Sequence, residues 1–174
     1  MNTSHDSVST ASGYAHATTT GQQAPATTAG DFAHATTAGK YAHATTAGGF
    51  AHAATTGDYA HATAASDFAH ATTTGAYAHA ATAGRLTYAT TTGIFAHAAT
   101  TGRRSNASVS GENAIAVAVG YNSAARAANG GFIVLAQYDE DTVVAVKTAQ
   151  VGRDGIKPDT WYTLSPTGEF IEAE

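Results

Sequence analysis

The chain has no cysteine, which excludes a disulfide framework and any thiolate zinc site. Large aliphatic side chains are nearly missing before Ser110, where only Val8, Leu86, Ile94 and Val109 occur. That region cannot build a conventional core, because large apolar side chains supply most of the burial energy, about 1.5–3 kcal/mol each. Backbone ladders and small side chains must hold it instead, and the 43% hydrophobic content is mostly alanine. Positive charge is also scarce. Eight Lys and Arg stand against thirteen Asp and Glu, for a net charge of −5, and no basic run exceeds Arg103-Arg104. Phosphate recognition needs a basic face, so nucleic acid is not an expected partner. No run of about 18 apolar residues exists, so no membrane insertion through a helix is expected. The first seven residues lack the basic and apolar segments of a secretory signal. This fits a protein made in the cytoplasm and virion-associated or surface-exposed after release.

What the sequence does have is a repeat. Glycine falls at 21, 30, 39, 48, 57, 75, 84, 93, 102, 111 and 120, and the one gap in the series is Ser66. The unit of nine reads Gly, a variable residue, an aromatic, Ala-His-Ala, then three residues drawn from Thr and Ala, as in Tyr41-Ala42-His43-Ala44-Thr45-Thr46-Ala47-Gly48. Fixed aromatics argue against disorder. A helix would carry one Gly per unit, at about 0.8–1 kcal/mol each. Nine residues also advance a helix by about 900°, so successive aromatics would point to opposite sides. The repeat therefore predicts a strand of about seven residues closed by a Gly turn, with Gly supplying a positive φ at the corner.

Nine residues are too few for one closed coil. Two units give a flattened coil of eighteen with two sheets. The alternation Phe32, Tyr41, Phe50, Tyr59, Phe68, Tyr77 has that period and places Phe on one sheet and Tyr on the other, with Leu86 continuing the apolar series. Side chains alternate across a strand, so the aromatic, His and the first Thr share one face while the Ala pair and the second Thr share the other. The small set is expected inside. The expected fold is all-β: a parallel β-solenoid, or β-roll, of two nonapeptides per coil over 13–130. Residues 1–12 form a flexible segment or cap, and 131–174 a small antiparallel β-rich capping or trimerisation module. Six coils between Gly13 and Gly120 would span roughly 29 Å.

A row of exposed Phe is an apolar patch of the kind soluble monomers avoid. Phe32, Phe50, Phe68 and Leu86 are thus the candidate oligomer interface. The candidate outward contact ladder is His34, His43, His52, His61, His70, His79 and His97 with Tyr41, Tyr59 and Tyr77. Imidazoles about 4.8 Å apart admit a divalent metal as an alternative reading. No carboxylate recurs beside His to orient the second nitrogen, however, so no cofactor is expected. Outward Thr rows would suit ice, but Ala54, Ala81 and Ala99 interrupt them. A calcium roll needs Asp at a fixed site, and Lys40, Gly49 and Arg85 alternate there with Asp31, Asp58 and Asp67. Periodic residues signal architecture, whereas a catalytic constellation would appear once; no enzyme activity is expected.

The last units change character. Asn113-Ala114-Ile115-Ala116, the corner Gly120 and Asn122-Ser123-Ala124-Ala125 resemble the head repeats of YadA-type trimeric adhesins. The resemblance implies a left-handed parallel β-roll that trimerises side by side. The tail, Gly155-Ile156-Lys157-Pro158-Asp159-Thr160-Trp161-Tyr162-Thr163-Leu164 and Gly168-Glu169-Phe170-Ile171-Glu172, is similar to endings of uncharacterised phage and mobile-element proteins. Together these imply a homotrimeric fibre, spike or tail-fibre-like attachment element. Its partners would be itself and a cell-surface receptor or another virion protein.

Overall fold

The computed structural model describes residues 7–153 and 155–173, and these form an all-β fold. Eighteen strands follow one another: β1 (Val8–Thr10), β2 (His16–Thr19), β3 (Pro25–Thr28), β4 (His34–Thr37), β5 (His43–Thr46), β6 (His52–Thr55), β7 (His61–Ala64), β8 (His70–Thr73), β9 (His79–Thr82), β10 (Tyr88–Thr91), β11 (His97–Thr100), β12 (Asn106–Val109), β13 (Ile115–Ala118), β14 (Ala124–Ala127), β15 (Phe132–Asp139), β16 (Thr142–Gln150), β17 (Tyr162–Leu164) and β18 (Phe170–Glu172). Odd strands up to β15 stack in one parallel sheet and even strands up to β14 in the other. The register is eighteen residues from β1 to β14, so that His34 lies beside His16 and His52, and seventeen where β15 joins β13. The chain is therefore a parallel β-solenoid of about seven turns. It begins earlier than expected, since β1 already pairs in register with β3; residues 1–6 lie outside the described part.

The strands are shorter than the sequence predicted. In the repeat, β2 to β14 have four residues each rather than about seven, and the other five make a corner. Within a strand, burial alternates. In β8, His70 and Thr72 face out, while Ala71 and Thr73 are buried. The residue just before each repeat strand, such as Ala33, Ala51 or Thr87, is buried too. The interior is a stack of Ala and Thr, as the alternation required.

The corners overturn the expectation for glycine. None of the repeat glycines has positive φ. The positive φ belongs instead to the aromatic position: Tyr14, Phe32, Tyr41, Phe50, Tyr59, Phe68, Tyr77, Leu86 and Phe95 all lie between 53° and 60°, as do Gln23, Arg104, Asn113 and Asn122. The local cause is a β-turn, closed for example by Ala42 N–H donating to Gly39 O at 3.2 Å. Its third residue must be left-handed, as in a type II turn. That conformation costs about 1–2 kcal/mol for a residue with a Cβ. A ladder N–H···O bond to the next coil (Phe32 to Gly49, 2.8 Å) and ring stacking offset it. Glycine serves a different purpose: a Cβ on Gly48 or Gly75 would lie 1.9 or 2.0 Å from the carbonyl oxygen of the glycine one coil earlier. The repeat needs glycine for coil-to-coil approach.

The solenoid ends in two hairpins. β15 joins the odd sheet parallel to β13, and β16 returns antiparallel to it. Glu140, in the turn between them, has φ 52°. β17 pairs antiparallel with β14, and β18 with β17, across the turn at residues 165–168. Ile133, Leu135, Val151, Ile156 and Tyr162 supply the large buried side chains that the coils lack.

The inner Thr row carries a testable feature. The hydroxyls of Thr37, Thr55, Thr73 and Thr91 are buried with no hydrogen-bond partner among the described residues. Val109 occupies the same row one coil further on and is equally buried. Valine matches threonine in shape, and a buried unpaired hydroxyl costs about 1–3 kcal/mol. Thr73→Val is expected to stabilise the protein by about 1 kcal/mol, read as a higher denaturation midpoint with an unchanged slope. A lower midpoint would contradict the packing described.

Candidate functional site

Two corner columns and two strand columns carry the repeated aromatic and His side chains. The expectation that Phe and Tyr lie on opposite sheets is corrected by their place in the corners. Tyr14, Phe32, Phe50 and Phe68 stack at the corner leading into the even sheet, with centroids 4.7–5.3 Å apart. Tyr41, Tyr59, Tyr77 and Phe95 stack at the opposite corner, 5.0–5.2 Å apart. Leu86 extends the Phe column, its N–H bonded to Arg103 O in the same ladder. Phe32 is 44% exposed, Phe50 47% and Phe68 36%. The edge is thus a continuous apolar ridge that one chain leaves open. The Tyr ridge differs in being polar: its hydroxyls belong to the rings, and the Lys40 ammonium sits 5.3 and 5.4 Å from the Tyr41 and Tyr59 ring centroids.

The histidines form two further stacks. His16, His34, His52 and His70 run up the even sheet and end on Tyr88. His43, His61, His79 and His97 run up the odd sheet. Centroids are 4.7–5.0 Å apart, and ring planes differ by 3–9° within the His pairs. Imidazole lone pairs lie in the ring plane, so in such a stack they run parallel instead of converging. Two rings would have to leave the stack to share an ion at about 2.0–2.1 Å. Among the described residues no group of three His, Asp or Glu gathers in metal-binding geometry. Partial burial depresses the His52, His61, His70 and His79 pKa values. Neighbouring imidazoles add to this for His52 (His70, His34), His61 (His43) and His79 (His61, His97).

The aspartates latch coils together. Asp31 Oδ1 accepts from Gly49 N–H at 2.8 Å, and Asp58 Oδ1 from Ala76 N–H at 2.9 Å. Asp67 accepts from Arg85 N–H at 2.7 Å and from Arg85 Nε at 3.2 Å. That backbone bond, followed by the guanidinium contact, lowers the Asp67 pKa. The outward Thr rows are broken where Ala54, Ala81 and Ala99 stand in register with Thr or with one another.

The period also fails in a patch beside the C-terminal hairpin, whose residues the sequence reading did not group into a site. Along the Phe column the residue becomes Leu86, then Arg104, then Asn122. Along the even-sheet His column it becomes Tyr88, Asn106, then Ala124. The C-terminal hairpin brings Trp161 and Thr163 against these departures, and together they line an open groove of about 470 Å³. A second groove of about 300 Å³, lined by Arg85, Leu86, Arg103 and Arg104, adjoins it. The available signal was the loss of the repeat itself. No family model, curated protein or solved structure matches the chain.

Proposed function

We propose that the protein is a structural attachment element, a rod whose copies pack side by side along the Phe corner into a homotrimer. The observation that supports this most is the stacked ridge of Phe32, Phe50, Phe68 and Leu86, each more than a third exposed. Rings in a stack present one flat, preformed edge that loses little side-chain entropy on contact. A matching edge on a second copy would bury it, as closed symmetric assemblies do. Three is the number implied by the resemblance of residues 111–127 to trimeric adhesin heads. In that arrangement the Tyr and His columns face outward, and attachment to a receptor or to another fibre or virion component falls to them and to the C-terminal end. The reading carries no catalytic step.

Phe32, Phe50 and Phe68 replaced together by Asn test it. Asparagine tolerates a left-handed φ, so each corner keeps its turn while the ridge turns polar. The triple variant is expected to retain its β circular dichroism and to fall to the 17.5 kDa mass of one chain by light scattering. Wild-type mass in the variant would remove the Phe corner as the interface.

A further inference from the structure

A repeat protein can build a unique site only where it breaks its own period, and beside the C-terminal hairpin this chain does so on three adjacent columns. Beside the Phe column, the variable column reads Asp31, Gly49, Asp67, Arg85, Arg103, Tyr121 along successive coils. The Phe column ends in Leu86, Arg104 and Asn122, and the His column in Tyr88 and Asn106. Leu86, Tyr88, Arg104, Asn106 and Asn122 line one groove whose far wall is Trp161 from the cap, and Arg85, Leu86, Arg103 and Arg104 line the groove that adjoins it. Arg85, Arg103, Arg104 and Arg126 are four of only eight Lys and Arg in a chain of net charge −5, so this patch is basic against the trend of the molecule.

The arginines are differently engaged. Arg85 is neutralised by Asp67. Arg103 lies over the Tyr121 ring at 4.9 Å, and Arg126 over the Trp161 ring at 4.7 Å. Arg126 Nε also donates to Ser108 Oγ at 2.9 Å. Arg104 has no side-chain partner among the described residues. Its backbone is fixed at the corner by the N–H bond to Tyr121 O at 2.8 Å, and the residue lines both grooves. Such a group cannot be buried against symmetry mates without a counter-charge. The apolar ridge therefore stops at Leu86, where the groove begins with Leu86 in its lining.

We infer that this groove binds an acidic saccharide. A guanidinium fork pairs with a carboxylate or sulfate. The aromatic walls Trp161 and Tyr88 suit the apolar faces of pyranose rings, and the Asn106 and Asn122 amides suit hydroxyls that both donate and accept. Nucleic acid fits less well, because three unneutralised arginines, Arg103, Arg104 and Arg126, are few for a phosphate backbone. This deepens the attachment reading by naming what is attached, yet the site lies within one chain and does not depend on oligomeric state.

Trp161 is the only tryptophan, so its emission reports on the groove directly. The full chain is titrated with a heparin-derived tetrasaccharide, with neutral maltotetraose, and with a ten-residue oligothymidylate, at about 0.1 M salt, with calorimetry in parallel. The acidic saccharide is expected to give a saturable signal, and the neutral one at least tenfold weaker binding. Arg104→Asn, which keeps a residue already present at the equivalent Asn113 and Asn122, is expected to lose about tenfold in affinity. Trp161→Phe, followed by calorimetry, is expected to weaken binding without loss of fold. Absence of binding, equal binding of maltotetraose, an unaffected Arg104→Asn variant or tighter binding of the oligonucleotide would each overturn the assignment. The triple Phe-to-Asn variant is titrated alongside: unchanged saccharide affinity in a monomer separates this site from the interface.

Discussion

Replacing Gly75 by alanine is expected to destabilise the protein by about 3 kcal/mol, the upper end for overpacking. The new Cβ would stand 2.0 Å from the Gly57 carbonyl oxygen and 2.3 Å from its carbon. Both belong to backbone, which has no rotamer through which to yield. Relief requires the two coils to separate by about an ångström, and the ladder bonds on either side, Tyr59 N–H to Ala76 O at 2.9 Å and Tyr77 N–H to Ile94 O at 2.9 Å, lie where that strain falls. Stability in a solenoid resides in the contacts between successive coils, so a fault in a central coil is felt along the rod. Nature supplies one control. Ser66 replaces glycine in the opposite corner, and its hydroxyl donates to Ala47 O at 2.7 Å, which offsets part of the crowding. Gly75→Ser should accordingly lose about 1 kcal/mol less than Gly75→Ala. Equilibrium denaturation measures both. An alanine variant as stable as the wild type would mean that glycine does not set the coil spacing.

Acidification is expected to produce the second large effect. The His52, His61, His70 and His79 pKa values lie below the usual 6.5 in the folded chain, first because of burial. The unfolded chain then binds more protons than the folded one between 6.5 and those lowered values. Stability rises with pH wherever the unfolded state holds the extra protons. The contribution is therefore complete above 6.5, falls as pH drops through that window, and stops falling once the folded-state histidines are protonated too. Each proton placed in a column also meets a like charge one coil away, with ring centroids about 5 Å apart. The melting temperature is expected to drop by several degrees between pH 7.5 and 5. His52→Tyr with His70→Tyr should flatten the even-sheet share of that drop, since Tyr88 already stacks on His70 at 5.0 Å and does not titrate in this range. A pH profile unchanged by the double substitution would clear the His column of the effect.

Periodicity made much of this fold legible. An eighteen-residue period fixed the two sheets, and alternation within the unit placed Ala71 and Thr73 inside and His70 and Thr72 outside. What composition could not reveal was the division of labour at the corner. Glycine and a positive φ are so commonly linked that Gly48 suggested the left-handed residue, yet Phe50 holds it, because glycine is needed more urgently where coil meets coil. The four-residue strands follow from the same turn, which takes in the aromatic. Rings that would have pointed from a sheet face instead form ridges at the corners. The groove escaped notice for another reason. Leu86 and Tyr88 lie one eighteen-residue coil before Arg104 and Asn106 without sharing their residue types, Trp161 is distant in sequence from all four, and only the register and the folding back of the last hairpin bring them together.

The most direct test is the molar mass of the unaltered chain in solution, by light scattering after size exclusion at pH 7.5, with and without EDTA. A side-by-side assembly along the Phe ridge predicts three times the 17.5 kDa chain mass, unchanged by the chelator. A monodisperse species at the mass of one chain would contradict it, leaving the stacked Phe32, Phe50 and Phe68 as an open edge of a solitary solenoid.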